Sequence, residues 1–370
     1  MKKYIFARNI DLDSPIVTNT HNYAFECAKN NETTWLSTPI YPWRANREEK
    51  GNRVNNIQEL RLPFLFNHGS RAINRGKFIW KNFPYTNYLL RPFSKIDYKS
   101  LENPDVFFCG SLSLFSIEKI LKPKKLVYNA HDLFSLYPGV SPSISKIEKA
   151  IIERVDLVVT TSEMTRKVLI SKYKVQDDKV LNLDHGINLN EFVDFKRPVE
   201  FLNISDPIAL FVGTLSMINK GLIGEVMLLL PGIKFVFIGP HNQQDKAFFG
   251  NFKNSTLLGA KKRHELAAYY NNSNVGLIMY DLELIDSRLL GTNPMKRYDY
   301  SAYGLQIVST SLREYEVNPS PMYIANTAKD YAEAIREAVY NPRFKKEEIL
   351  DFAFKNQWSE KFKIIEKCLQ

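Results

Sequence analysis

Only three of the 370 residues are cysteines: Cys27, Cys109 and Cys368. They stand far apart, so neither a disulfide framework nor metal-ligand spacing is expected, and three ordinary thiols in a reducing compartment fit. Long apolar runs are also missing. The best, Val226 to Ile238, is broken by Pro231 and Lys234, well short of the roughly 18 apolar residues a membrane-crossing helix needs. The opening Met1-Lys2-Lys3-Tyr4-Ile5-Phe6-Ala7-Arg8 reaches an arginine too soon for the apolar region of a secretory signal, and a cytoplasmic chain is expected. No period of about 20–50 residues is visible, which argues against a solenoid. No G-x-G-x-x-G follows Tyr4–Ala7, and neither G-x-x-x-x-G-K-[ST] nor G-x-S-x-G occurs anywhere. A dinucleotide dehydrogenase, a P-loop enzyme and a G-x-S-x-G hydrolase are therefore disfavoured.

What is present is globular, with 44% hydrophobic and 24% charged residues, and the length suits two domains of about 150–200 residues. The net charge of +10 attracts polyanions or phosphorylated ligands. It is concentrated in residues 71–100, where Arg71, Arg75, Lys77, Lys81, Arg91, Lys95 and Lys99 face one acid, Asp97, with Phe78, Trp80, Phe83, Tyr85, Tyr88, Phe93 and Tyr98 interleaved. Such a segment suits single-stranded nucleic acid, a membrane surface or a solvated loop and helix with buried rings.

Short β-rich runs alternate with helical stretches. Strands are expected at Tyr4–Ala7, Thr34–Leu36, Leu60–Leu65, Val106–Cys109, Leu126–Asn129, Leu157–Thr160 and Val180–Asn182. The segment 194–206, with Pro198 and several polar residues, reads as a linker. A second alternation then begins at Ile208–Val212 and continues through Lys234–Ile238, Val275–Met279 and Gln306–Ser309. The expected architecture is α/β: two Rossmann-like, doubly wound domains facing across a cleft. Their expected bounds are 1–193 and 207–355, with a final helix at 356–370 crossing back. Ligands of such sheets bind beyond the C-terminal strand ends, so the cleft is the default site.

The most informative stretch runs Asn293-Pro294-Met295-Lys296-Arg297-Tyr298-Asp299-Tyr300-Ser301-Ala302-Tyr303-Gly304 and on into Leu305-Gln306-Ile307-Val308-Ser309-Thr310. Pro294 suits a first helical turn, since its missing N–H costs nothing there. The helix start then offers N–H groups and a dipole to phosphate. Lys296 adds a full charge in the first turn. Asp299 lies three residues on, along the same face, where a carboxylate accepts bonds from ribose hydroxyls. Gly304 ends the helix.

This stretch resembles the donor-site helix of the GT-B glycosyltransferases, N-P-L-K-x-Y-E-Y-x-A-x-G-x-P-V-V-S-T, departing from it at Asp299 and Gln306. Further pieces are similar in order and spacing over roughly residues 125–370. Phe211-Val212-Gly213-Thr214 resembles the first strand and glycine turn of the donor domain, and Phe237-Ile238-Gly239-Pro240 the second. Leu258-Gly259-Ala260-Lys261 resembles the base-binding loop, with backbone at Ala260 and Lys261 implied to meet the nucleobase. Asn274–Tyr280 resembles the strand after it, and Asn356-Gln357-Trp358-Ser359 the start of the final helix. The Glu-x7-Glu signature of a large retaining family is absent, since Gly291 stands eight residues before Asp299. The Met295-Lys296 pair and Tyr280 are similar to the donor site of xanthan-type β-glucuronosyltransferases, which invert.

The resemblance implies a glycosyltransferase moving a sugar from a nucleotide-sugar, a UDP-sugar above all, to a glycan or polyprenyl-linked glycan in bacterial surface polysaccharide assembly. The donor contacts it implies are Gly213, Thr214, Ala260, Lys261, Tyr280, Asn293, Pro294, Met295, Lys296 and Asp299. No cofactor or metal is implied. Inversion needs a general base; His131 and Asp132 follow the strand Leu126–Asn129, and Asp132 is the candidate with His131 as its orienting partner or a donor contact, the reverse assignment staying open. Arg8, Asn9 and His21 are the candidate acceptor contacts. His185-Gly186-Ile187-Asn188 resembles a hinge stretch, with Gly186 expected to permit a tight turn. Asp11-Leu12-Asp13 matches an Asp-x-Asp metal motif but lies too early in the chain to follow a complete nucleotide domain. For a sugar enzyme the segment 71–100 is expected at the inner membrane surface rather than on nucleic acid. Retention, a sugar-nucleotide 2-epimerase and a catalytically silent nucleotide-binding subunit stay open as alternatives.

Overall fold

A computed structural model of the chain describes residues 1–14, 17–64, 94–131, 133–136, 142–189, 196–281 and 292–370. Two compact units emerge: Met1–Leu183 with Lys361–Gln370, and Asp184–Glu360. The first holds β1 (Lys3–Ala7), β2 (Glu32–Leu36), β3 (Lys50–Val54), β4 (Ile57–Leu60), β5 (Val106–Cys109), β6 (Lys125–Asn129), β7 (Leu157–Thr160) and β8 (Val180–Asn182), with helices α1 (Asn19–Cys27), α2 (Pro142–Ile152) and α3 (Glu163–Tyr173). Its strands form one sheet in the order β3-β4-β2-β1-β5-β6-β7-β8. All neighbours are parallel except β3 and β4. Strands buried on both faces are continuous apolar runs, which is why β5 and β7, buried at all four positions, coincide with the expected bounds.

The β3–β4 hairpin departs from expectation, which placed a strand at Leu60–Leu65. Lys50-Gly51-Asn52-Arg53-Val54 has no apolar alternation. It is held by the buried carboxylate of Glu59 in β4, which accepts from the backbone of Leu12 (3.2 Å) and Asn52 (3.1 Å). Asn55 and Asn56 both take positive φ, the geometry of a two-residue hairpin turn.

The second unit holds β9 (Ile208–Val212), β10 (Lys234–Ile238), β11 (Ser255–Gly259), β12 (Val275–Ile278), β13 (Gln306–Ser309) and β14 (Tyr323–Ile324), with α4 (Lys220–Leu229), α5 (Gln243–Gly250), α6 (Arg263–Asn271), α7 (Met295–Ala302), α8 (Ala328–Tyr340) and α9 (Lys346–Lys355). The sheet order is β11-β10-β9-β12-β13-β14, parallel throughout. One face buries Phe211, Met227, Phe237 and Tyr331, the other Leu210, Val236, Tyr270 and Tyr300. The last helix, α10 (Trp358–Cys368), spans the division at residue 360. Its Phe362 packs on Tyr4 of the first unit, ring centroids 6.1 Å apart.

The boundary falls at 183/184 rather than at the expected linker. Of that linker, residues 196–206 are described, and they pack into the second unit. Phe201 is fully buried, edge-on to Tyr269 at 5.3 Å. Arg197 donates to the carbonyls of Phe201 and Ile204. Proline and polar residues mark irregular backbone here, and one aromatic side chain anchors it. Gly186 also plays a different part from the expected turn. It is not among the positive-φ residues; a Cβ there would lie 2.6 Å from the Trp358 ring, beside a two-way backbone bridge in which Ile187 N–H donates to Asn356 and Trp358 N–H to Ile187.

Candidate active site

In the second unit three strand ends nest backbone to backbone. Gly213, after β9, donates its N–H to Ile238 O (2.8 Å), and Gly239, after β10, donates to Gly259 O (2.9 Å). Both glycines have strongly positive φ, +146° and +154°. A Cβ on Gly239 would sit 1.9 Å from Gly213 O, so no other residue fits.

Above Gly213 lies the side chain of Lys296. A Cβ on Gly213 would meet its Cε at 2.7 Å and its Nζ at 2.9 Å. Helix α7 starts at Met295 with Pro294 as its N-cap, one position earlier than a first-turn proline. Lys296 is therefore the second helical residue, and its ammonium joins the positive end of the helix dipole. Nζ donates to Tyr280 Oη at 3.0 Å and lies over the rings of Phe211 (5.1 Å) and Tyr280 (4.8 Å). Gly213, Tyr280, Pro294, Met295 and Lys296 thus come together as one cationic corner, suited to an anion.

The helix is fixed from behind by Tyr300. Its hydroxyl donates to Leu277 O (3.2 Å) and accepts from Val212 N–H (3.1 Å), joining α7 to β12 and β9. Gly276 leaves the space, since a Cβ there would lie 2.4 Å from the Tyr300 ring. Asn293 is buried and uses its amide within the protein, donating to Asp184 Oδ1 and Tyr298 Oη (both 3.3 Å). It is better placed to set the approach to the helix than to hold a ligand through its side chain. Asp299 pairs with Arg263 at 3.2 Å. Thr214 and Ala260 are exposed. The Lys261 ammonium binds Glu200 (2.8 Å), which holds it above the ordinary lysine range, and lies over the Tyr269 ring. This leaves its backbone for a ligand. Arg263, Glu200 and Tyr300 were not singled out from sequence.

In the first unit, Arg8 follows β1, Gly110 follows β5 and His131 follows β6 closely, three neighbouring strand ends. Arg8 Nη1 donates to Gly110 O (3.2 Å), and its guanidinium lies 3.0 and 2.8 Å from the two ring nitrogens of His131. A guanidinium offers only donors, so a ring nitrogen carrying no proton must accept. Asn9 binds Ser111 through its backbone N–H and Ser113 through its amide. Beneath, Asn19, Thr20 and Asn129 form a buried hydrogen-bonded group. Asp132, the candidate base, lies outside the described residues.

His21 is a correction. It is completely buried, stacked on Trp35 at 4.3 Å. Its Nδ1 accepts from Thr18 and its Nε2 donates to Asp11 O (3.1 Å). Burial lowers its pKa, with the bond to Asp11 opposing. It supports the loop after β1 and is not an acceptor contact; the β1–α1 position alone did not reveal that α1 turns this ring inward. Glu148 was missed altogether. This fully buried carboxylate on α2 accepts from Tyr128 Oη (2.7 Å), Phe134 N–H (3.0 Å) and Ser135 N–H (2.9 Å), tying down the segment that follows His131.

Burial pushes the thiols of Cys27 and Cys109 up to about 12, so neither is a nucleophile. Asp11 pairs with Arg61 at 3.2 Å and Asp13 accepts from Asn52. Among the described residues no helix is long and apolar enough to cross a membrane.

Residues 28–191 match the family model described as Glycosyltransferase Family 4. The chain is a glycosyltransferase, and its residues 28–191 are similar to that family. Solved structures agree on the fold of this glycosyltransferase, two-domain α/β of the GT-B type. Sucrose-phosphate synthase from Thermosynechococcus elongatus superposes with a TM-score of 0.72 at 14% identity, over 99% of this chain and 98% of that one. HepE of Anabaena, in complex with UDP and glucose, gives 0.68 at 10% identity over 99% of each. A UDP-GlcNAc 2-epimerase from Neisseria meningitidis, bound to UDP-GlcNAc, gives 0.58 at 12% identity over 99% and 98%. No curated protein matches the sequence.

Proposed function

We propose that this glycosyltransferase moves a sugar from a UDP-sugar to a hydroxyl of a glycan or lipid-linked glycan, with inversion and without a metal, in assembly of a bacterial surface polysaccharide. One arrangement carries the reading: Lys296, held over Gly213 by Tyr280 and Phe211 at the start of α7. The departing nucleoside diphosphate gains negative charge in the transition state, and a preorganised cation with a helix dipole stabilises it there. HepE, which shares the fold, binds UDP and glucose, and this favours uridine as the base. Asp299, oriented by Arg263, is the residue for the ribose hydroxyls. Asp132 takes the proton of the acceptor hydroxyl, and Arg8, Asn9 and His131 are the other residues read as serving the acceptor side. The segment 71–100, of which 71–93 lie outside the described residues, meets the anionic inner surface of the membrane.

Melting with UDP, GDP, dTDP and CMP, with and without EDTA, tests the donor site. Ligand at 100 times its Kd adds about 2.7 kcal/mol, a shift of a few degrees. A UDP shift indifferent to EDTA is expected; a folded protein indifferent to all four nucleotides overturns the site. Asp132→Asn should abolish transfer and leave the UDP shift intact. A product that keeps the donor's anomeric configuration overturns inversion, and a release of UDP with epimerised sugar and no acceptor moves the reading to an epimerase. Flotation with anionic vesicles at low salt tests the membrane segment.

A further inference from the structure

One charged residue of the α7 motif faces away from any surface. Arg297 is completely buried. Its Nη1 donates to Asn318 O (2.7 Å) and its Nη2 to Tyr298 Oη (2.7 Å), while Nε finds no partner among the described residues. Its hydrogen-bond acceptors there are neutral. The guanidinium lies over three rings, Tyr298 (4.8 Å), Tyr315 (5.3 Å) and Phe352 (5.7 Å). Ring faces partly replace water around a cation, and the carboxylate of Asp184 stands further along the same chain of hydrogen bonds, beyond Tyr298 and Asn293, but a buried charge whose own hydrogen-bond partners are all neutral is costly, and apolar residues of similar volume often do as well or better for stability. Packing alone is therefore a poor reason for an arginine here.

The hydrogen bonds lead to the start of the helix. Arg297 is the third residue of α7. Tyr298, which accepts from it, donates in turn to Asn293 Oδ1 (3.4 Å), the residue preceding the N-cap. The guanidinium is thus two hydrogen bonds from the helix start on which Lys296 sits.

We propose that Arg297 is a buried positioning residue of the donor site, whose charge is answered by the diphosphate of the bound nucleotide and whose bonds through Tyr298 and Asn293 hold the helix start in place to receive it. The proposal rests on the donor-site reading above. A charge at this depth is screened little by salt, so Arg297 acts on the bound anion from within the protein, without touching it, while Lys296 acts at contact.

The test separates stability from affinity, using the full chain and UDP as the probe. In Arg297→Met the ligand-free melting temperature is expected to equal or exceed that of the unmodified protein, while the Kd for UDP rises about tenfold. Arg297→Lys, which keeps the charge, should stay within about threefold of the original Kd. If the methionine variant does not fold, Arg297→Gln replaces it, keeping polar donors without the charge. A folded neutral variant that binds UDP as tightly as the unmodified protein overturns the proposal. Equal losses in the lysine and neutral variants overturn it as well, because charge is then not what matters. Lys296→Ala is the control for the underlying reading. If the unmodified protein ignores UDP, the donor site itself fails; if UDP binds and Lys296→Ala weakens it while the neutral Arg297 variants do not, only the role of Arg297 fails.

Discussion

Replacing Gly213 by alanine puts a methyl group where the Lys296 side chain now lies, 2.7 Å from its Cε and 2.9 Å from its Nζ. Two costs follow and they are separable. The backbone at φ +146° strains any residue with a Cβ by about 1–3 kcal/mol, and this appears as lower stability with or without ligand. The second cost falls on the site. Lys296 must leave its place beside Tyr280 and Phe211, and a misplaced cation forfeits a charged hydrogen bond to phosphate of about 1.5–3 kcal/mol. At 1.4 kcal/mol per decade that is roughly tenfold to hundredfold in Kd for UDP. In a Lys296→Ala background the methyl has room, so Gly213→Ala should then change the Kd by less than about threefold, while the loss in melting temperature persists. Calorimetric titration of UDP into the four proteins closes the cycle. A folded Gly213→Ala that binds UDP normally, or an affinity loss of equal size in both backgrounds, would refute the reasoning.

His21 and Glu148 give two further predictions. Burial lowers the His21 pKa below its ordinary 6.5, so the unfolded chain takes up the proton first as pH falls. The stability that the neutral ring provides is whole above about pH 6.5, declines below it, and stops declining beneath the folded value; in His21→Asn that part of the pH dependence of melting should vanish, and an unchanged profile would sink the assignment. Glu148→Gln turns an amide N–H₂ toward donors and leaves part of the Phe134, Ser135 and Tyr128 set unpaired, at about 1–3 kcal/mol. Transfer should slow and melting fall while the Kd for UDP is kept, since Glu148 belongs to the first unit and Lys296 to the second; an unaltered rate of transfer would argue that the segment after His131 needs no such anchor.

Much of this was legible in sequence for one physical reason. Parallel strands buried on both faces are near-continuous apolar runs, so β5, β7, β9 and β10 announce themselves within a residue or two of their ends. The donor-helix motif was legible because Pro294, Lys296 and Gly304 each have a positional meaning at a helix end. What escaped was set by tertiary contacts. The β3–β4 hairpin depends on the carboxylate of Glu59, and no local pattern marks it. Gly186 looked like a turn and answers to Trp358, far along the chain. The inward placement of Glu148 and Arg297 also escaped, because sequence spacing cannot say that a charged residue faces inward when its partners are a distant backbone segment or a set of rings. His21 was misread for the converse reason: position after the first strand says which loop it is near, not which way its ring turns.

The bolting of α7 through the Tyr300 hydroxyl, beside its other anchors, has a consequence for how such an enzyme diversifies. A phenol shared between Val212 N–H and Leu277 O leaves the helix no register into which it can slide, and the glycine at 276 admits that ring and little else. If the proposed donor site holds, altered sugar preference, in nature or in a directed library, is expected in the segments flanking the helix, with the cationic corner inherited unchanged as a fixed datum from which every new donor is measured.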